Sequence, residues 1–396
     1  MSARARNVWR LLRNGVLVAG SVTAVVVYGC VTGHERFYKS VLMPSVRLVD
    51  PEQAHVMAVK LASWGMVPRD NSIPDPILET KVFGKVFPSP VGLAAGFDKH
   101  GECMDGMFKI GFGFVEIGSI TPEPQAGNDK PRVFRLTEDQ AIINRYGFNS
   151  VGHEVVAERL TPLDEEASQS NKPGVLGINL GKNKTSTNAI KDYILGVQKF
   201  AKFADYLTIN ISSPNTPGLR SLQGKKELSA LLQEVIKARD DLHGNKPPIL
   251  VKIAADLTQE AKQDIADVIT TPPCKVDGLI VCNTTISRPS SLQSKHKHET
   301  GGLSGRPLRE LSTQTVQDMY KLTEGKLPII GVGGISSGRD AYDKIRAGAS
   351  LVQIYSAIAY EGFPVVRKIK HELAELLRSD NLTSVSDAVG LDVKRE

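Results

Sequence analysis

From residue 90 onward, short, largely apolar runs alternate with longer amphipathic ones. The apolar runs, rich in β-branched residues, span 90–96, 114–120, 174–181, 206–213, 248–254, 278–285, 328–335 and 351–357. Between them, apolar positions recur at helical spacing over 188–203, 225–242, 257–269, 311–323, 337–347 and 364–377. Strands that are apolar throughout, rather than at every second position, are buried on both faces. Eight such strands, each followed by a helix, predict an α/β chain closed into a (β/α)8 TIM barrel. A doubly wound open sheet is the alternative. It is weakened because no strand is followed by G-x-G-x-x-G; Gly331-Val-Gly333-Gly334 lacks the third glycine. Two further runs, 132–136 and 141–145, flank Thr-Glu-Asp-Gln and predict a hairpin inserted between the second and third strands. Barrel enzymes build their sites from loops on that face.

Ahead of the barrel the pattern changes. Residues 15–33 carry no charge, and nineteen helical residues reach roughly 28 Å, close to the hydrocarbon thickness of a bilayer. Before them stand Arg4, Arg6, Arg10 and Arg13 with no carboxylate until Glu35, the composition of a mitochondrial targeting peptide. A secretory signal is the alternative, but its apolar region is usually shorter, about 7–15 residues. The sequons at Asn210 and Asn283 also sit in apolar runs unsuited to glycans. Apolar spacing from Val56 to Met66, after an Asp50-Pro51 cap, predicts a helix, with a shorter one before it broken near Pro44. These helices are either a hairpin packed on the main domain or an apolar collar at a bilayer surface. The expected division is therefore 1–14 targeting, 15–33 transmembrane, 34–68 helical, 69–378 barrel and 379–396 polar tail.

Charge then narrows the partners. The chain has 49 basic and 43 acidic residues, and the four leading arginines account for most of the +6. The remaining body is close to neutral, which removes the case for nucleic acid. Four scattered cysteines make neither a disulfide framework nor a zinc knuckle. The Lys295-His-Lys-His-Glu299 run reads as a solvated loop rather than a metal site, and Cys282 reads as packing. No metal is expected.

The strand ends carry the candidate chemistry. Four asparagines (Asn179, Asn210, Asn215, Asn283) and two lysines (Lys99, Lys252) suit a planar, amide-rich, anionic ligand. Lys252 lies within Ile-Leu-Val-Lys-Ile, where a charge needs an anion or an electron-rich ring. Strands seven and eight end in Gly331–Gly338 and Ile354-Tyr355-Ser356, the position where this fold commonly binds phosphate. Phosphate beside a lysine-flanked ring suggests FMN.

Together these motifs are specific. AAGFDKHGE (94–102), EIGSITP (116–122), NRYGFN (144–149), NISSPNTPGLRSLQ (210–223), 179–183, 301–307 and 331–338 make the chain resemble the class 2, membrane-associated dihydroorotate dehydrogenases. That resemblance implies oxidation of dihydroorotate to orotate in pyrimidine synthesis, with hydride passing to FMN and on to ubiquinone. It also implies a single-pass protein of the mitochondrial inner membrane. Ser213 then takes the place of the catalytic base, relayed by Thr216 and a water beside Phe148; soluble relatives use cysteine there. Lys99 would pair with the substrate carboxylate. Asn144, Asn210, Asn215, Asn283 and Thr284 would hold the ring, with Arg145, Tyr146, Gly147 and Phe148 of the same motif. Lys252 would stabilise the reduced flavin. Ala94, Ala95, Gly96, Ser119, Asn179, Asn210, Gly305, Gly334, Tyr355 and Ser356 would complete the FMN site. Cys282 and Ser356 replace common threonines, and Cys282 is the weaker donor. His55, Arg135 and Tyr355 would line a quinone tunnel through the 34–68 segment. The rivals are a soluble-type enzyme using fumarate or NAD, a hydroxy-acid oxidase and a catalytically dead anchored scaffold. The oxidase would need a histidine at a strand end, where this chain has none.

Overall fold

The computed structural model describes residues 27–167 and 174–393. In chain order its strands are β1 (Thr80–Val82), β2 (Lys85–Phe87), β3 (Val91–Leu93), β4 (Phe114–Ile120), β5 (Val133–Leu136), β6 (Ala141–Asn144) and β7 (Val175–Leu180). They continue as β8 (Tyr206–Asn210), β9 (Ile249–Ile253), β10 (Gly278–Val281), β11 (Gly302–Gly305), β12 (Ile329–Val332) and β13 (Leu351–Ile354). Eight of them close a parallel barrel in the order β3-β4-β7-β8-β9-β10-β12-β13, with β13 pairing back onto β3. All eight apolar runs are barrel strands, so the closed barrel holds and the open sheet falls. The apolar runs work because both strand faces are covered: every residue of β4, β8 and β9 is buried.

The helices cover the outer face in the predicted way. Val365–Ser379 buries Val365, Val366, Ile369, Leu373 and Leu377, a stripe at helical spacing. The short β1–β2 hairpin, absent from the sequence expectations, closes the N-terminal end of the barrel. There Phe87 meets Phe114 edge-to-face at 5.4 Å, beside Tyr206, Leu250 and Ile280. That end is plugged, which leaves the other for a site.

The inserted hairpin forms as β5–β6. It gains a third antiparallel strand, β11, from more than 150 residues further on. The helix Pro51–Ser63 is capped as expected, Asp50 accepting the Gln53 amide at 2.9 Å. It packs on the barrel through Val59 and Ala62, which belong to the main core. The C-terminal residues, polar in composition, also dock: Val385 and Ala388 are fully buried, and Asp392 pairs with Arg346. Residues 27–32 are helical. Among the described residues no helix is long and apolar enough to cross a membrane. The targeting segment 1–14 and most of the apolar run 15–33 lie outside the described residues.

Candidate active site

The C-terminal ends of the barrel strands converge on one cavity of about 250 Å3. It is continuous with the N-terminal helices, whose Met43, Val46, Ala54, His55 and Ala58 form part of its wall. Near its base are Ala94, Ala95, Gly96, Ser119, Lys252, Cys282, Gly305, Gly334, Tyr355 and Ser356. Beside them are Lys99, Asn144, Tyr146, Gly147, Phe148, Asn210, Ser213, Asn215, Asn283 and Thr284. His55 and Arg135 stand toward the helical end, with Tyr355 between.

Three expected residues are not in the wall. Asn179 lies behind it, fully buried. It donates to Glu116 at 2.7 Å, and its carbonyl oxygen accepts from Asn210 at 3.0 Å and from the Ser119 hydroxyl. Thr216 is buried, and its hydroxyl has no hydrogen-bond partner among the described residues. Arg145 differs most from expectation. It turns away from the cavity, pairing with Glu299 at 2.8 Å and stacking over Phe134 at 4.5 Å. Neighbouring residues of an extended chain face opposite ways, so once Asn144 faces the cavity Arg145 cannot. The 295–299 loop keeps Lys295 and His298 exposed, as expected, but is also tied down, with Glu299 on Arg145, His296 against Phe134 and Leu292 buried beneath.

The asparagines hold one another. Asn215 donates to Asn144 Oδ1 at 3.3 Å and to its carbonyl at 3.1 Å, and Asn283 donates to Ser212 at 3.1 Å. Asn210 donates to Ser119 at 2.9 Å. Ser213 accepts the Asn215 amide at 3.3 Å through its oxygen. Beneath them lies Glu116, a fully buried carboxylate that accepts from Asn179, from Gln353 at 2.8 Å and from Tyr206 at 3.1 Å. Lys252 sits 3.9 Å from Glu116 and makes no shorter polar contact among the described residues. Glu116 and Gln353 escaped the sequence reading. The signal was present, since each interrupts an apolar strand as Lys252 does.

Lys99 is half-buried with its ammonium 4.1 Å from the Tyr146 ring, and among the described residues no carboxylate lies within ion-pair distance. Burial lowers its pKa to about 8, helped by Arg132 and opposed by Glu52. His55 bonds the Phe97 carbonyl at 2.7 Å through Nε2, so that nitrogen carries the proton and Nδ1 faces the Tyr146 hydroxyl at 3.4 Å. Burial, with Lys99 nearby, lowers its pKa to about 4 and keeps it neutral. Arg135 donates to the Val49 carbonyl at 2.6 Å, fastening the hairpin to the N-terminal segment. Burial raises the Cys282 thiol to about 11, in line with packing rather than reactivity. Ser356 keeps its hydroxyl engaged with Ser304 at 2.8 Å.

Two features ask for a ligand: Lys252 lines the cavity with its charge, and the Gln353 side-chain oxygen is buried without a partner among the described residues. With the glycine-rich ends of β12 and β13, this donor set fits a planar heteroaromatic ring bearing a phosphate. No cluster of metal-ligating side chains occurs among the described residues.

Fold and site define a parallel-barrel enzyme for an anionic, amide-bearing small molecule. The family model for dihydroorotate dehydrogenase matches residues 77–377. Dihydroorotate dehydrogenase (quinone), mitochondrial, of Mus musculus is 54% identical over 395 residues, covering 98% of this chain and all of that protein. Dihydroorotate dehydrogenase (quinone) of Rhodospirillum rubrum is 52% identical over 350 residues, covering 88% and 93%. The crystal structure of DHODH in complex with ferulenol from Eimeria tenella aligns with a TM-score of 0.84 and 49% identity. It covers 87% of this chain and 96% of that one. The chain belongs to the dihydroorotate dehydrogenase family and resembles its quinone-dependent, mitochondrial members.

Proposed function

We propose that this protein is a quinone-dependent dihydroorotate dehydrogenase, oxidising dihydroorotate to orotate in pyrimidine biosynthesis, with FMN as its cofactor and ubiquinone as acceptor. The observation that carries this reading is the single cavity running from Ser213 and the asparagines, past Lys252 and Tyr355, to the N-terminal helices. An enzyme serving only a water-soluble acceptor has no need of that helical extension.

The residues divide the work. Lys99 meets the substrate carboxylate, the charge it lacks among the described residues. Asn144, Asn210, Asn215, Asn283 and Thr284, pre-tied to one another, fix the ring so that C5 faces Ser213 Oγ. Ser213 takes the C5 proton. A serine hydroxyl hardly ionises near neutral pH, so it needs an outlet, and the unpartnered Thr216 hydroxyl with a water beside Phe148 provides one. Residues 94–96, Ser119, Asn179, Cys282, Gly305, Gly334, Tyr355 and Ser356 would hold FMN, which would supply an acceptor for the C6 hydride and a route for electrons to quinone. Lys252 supports charge on the ring. His55, Arg135 and Tyr355 receive the quinone head in the 34–68 segment. The exposed Val56, Met57, Trp64 and Met66 face a bilayer surface. Residues 1–14 direct the chain to mitochondria, and 15–33 anchor it by a single pass in the inner membrane.

Stopped-flow measurement of the two half-reactions tests this. Dihydroorotate should bleach the bound flavin, and ubiquinone should restore it faster than fumarate or NAD. Ser213→Ala should keep its flavin yet reduce it at least about 100-fold more slowly at pH 7. Near-normal reduction would remove Ser213 as base; reoxidation by NAD or fumarate alone would remove the quinone assignment.

A further inference from the structure

Lys344 is a fully buried cation outside the cavity wall. It lies on the helix Gly338–Arg346, directly after the glycine turn that ends β12. Its stem fills space left by Gly331, where an added Cβ would come within 2.7 Å of Lys344 Cδ. The ammonium donates to Ser312 Oγ at 2.6 Å and Thr313 Oγ1 at 2.8 Å. Ser312 in turn donates to the Val332 carbonyl at 2.6 Å, and its side chain lies against Gly333. No carboxylate stands within ion-pair distance of Lys344 among the described residues; the nearby Asp340 is engaged by Arg309 at 2.9 Å. A buried ammonium bound only to neutral hydroxyls costs several kcal/mol, a cost that an anion close by offsets. Ser312 lies against Gly333, which lines the cavity together with Gly334 and Ser336 of the same turn.

We propose that Lys344 is a positioning residue for the phosphate of the bound flavin: a buried cation behind the Gly333–Gly334 turn. It acts through Ser312 and the turn's backbone, without touching the ligand. The inference rests on the FMN reading above and adds to it a residue outside the cavity wall. Burial lowers the Lys344 pKa to about 8; Cys282 and Asp340 oppose this, Arg309 adds to it and Asp343 opposes it. The charge is therefore available at neutral pH and lost in mild alkali.

Flavin binding by the full-length protein, with FMN compared against riboflavin, tests it. The two share the ring that Lys252 faces and differ only in phosphate, so their affinity ratio isolates that end of the site. Lys344→Met should weaken FMN by about tenfold, the scale of one charge-assisted contact, while riboflavin affinity stays the same. Because methionine removes an unpaired buried charge, the flavin-free variant should melt no lower than the flavin-free parent. In the parent, the FMN-to-riboflavin ratio should fall between pH 7 and 9.5, a range in which the phosphate itself no longer titrates. That measurement stands if the variant does not fold. Equal weakening of both flavins, or a ratio independent of pH and of the substitution, overturns the role of Lys344. If the parent binds neither flavin, the cofactor reading itself fails.

Discussion

Glu116→Gln and Glu116→Leu separate charge from hydrogen bonding at the centre of the barrel. The carboxylate is fully buried and accepts from Asn179 at 2.7 Å, Gln353 at 2.8 Å and Tyr206 at 3.1 Å, with Lys252 at 3.9 Å. Leucine removes the acceptor from three buried hydrogen bonds, at about 1–3 kcal/mol each. It also strips Lys252 of its counter-charge, at about 3–5 kcal/mol. The combined loss, on the order of 6–14 kcal/mol, rivals the net stability of a typical domain. Glutamine keeps the shape and one acceptor. Its new N–H groups also have an outlet, because the Gln353 side-chain oxygen is buried and unbonded and the amide can turn to meet them. Only the counter-charge is then lost, about 3–5 kcal/mol. The glutamine variant should fold, keep flavin and melt several degrees lower, whereas the leucine variant should be recovered insoluble or without flavin. Soluble yield, calorimetry and flavin absorbance read this directly. A leucine variant that melts with the glutamine variant would refute the view of Glu116 as a hub.

Acid should weaken the fold through three histidines. His55, His100 and His153 are each held down to about 4, chiefly by burial, with Lys99 acting on the first two and Lys199 on the third. Their folded pKa values lie below the unfolded value of about 6.5, so the stability they permit is complete above 6.5 and is lost as pH falls toward 4. His153, buried against Phe200 with Nε2 unbonded, should account for up to about 3 kcal/mol of that loss. Urea midpoints that do not change between pH 7.5 and 5, or a His153→Phe variant with an unaltered slope, would contradict this. Gly106→Ala should loosen the N-terminal helix, since the new Cβ would lie 2.4 Å from the Ala62 carbonyl oxygen. A cost of about 1–3 kcal/mol is expected, with quinone turnover impaired more than flavin reduction. Unchanged melting and quinone KM would dismiss the contact.

The barrel was legible because parallel strands covered on both faces write themselves as unbroken apolar runs, and each helix writes its stripe. Lys252 stood out as a charge inside such a run. What was hidden is non-local. The strand Gly-Leu-Ser-Gly of β11 has almost no β-forming composition and exists because β6 offers it a free edge. The plug of β1 and β2 takes its meaning from Phe114 and Tyr206, whose positions at the barrel mouth follow only from closure. Lys344 was not singled out, since nothing in its sequence neighbours announces the gap above Gly331. Arg145 was misplaced by treating a motif as a unit; the alternation of an extended chain splits it between cavity and loop. The N-terminal helices, for which packing and collar were opposed readings, pack on the core through Val59 and Ala62 while their other residues enter the cavity wall.

That double duty has a consequence for selection. Ala54 and Ala58 are small wall residues on a helix whose neighbours Val56 and Met57 are half exposed. Enlarging either alanine narrows the helical end of the cavity while leaving Lys99, Ser213 and the asparagines untouched. A compound lodged there would therefore meet variants that arise far from the chemistry, whose cost falls on quinone turnover rather than on flavin reduction. One directed at the polar end would, on the proposed assignment, face the residues that carry the chemistry.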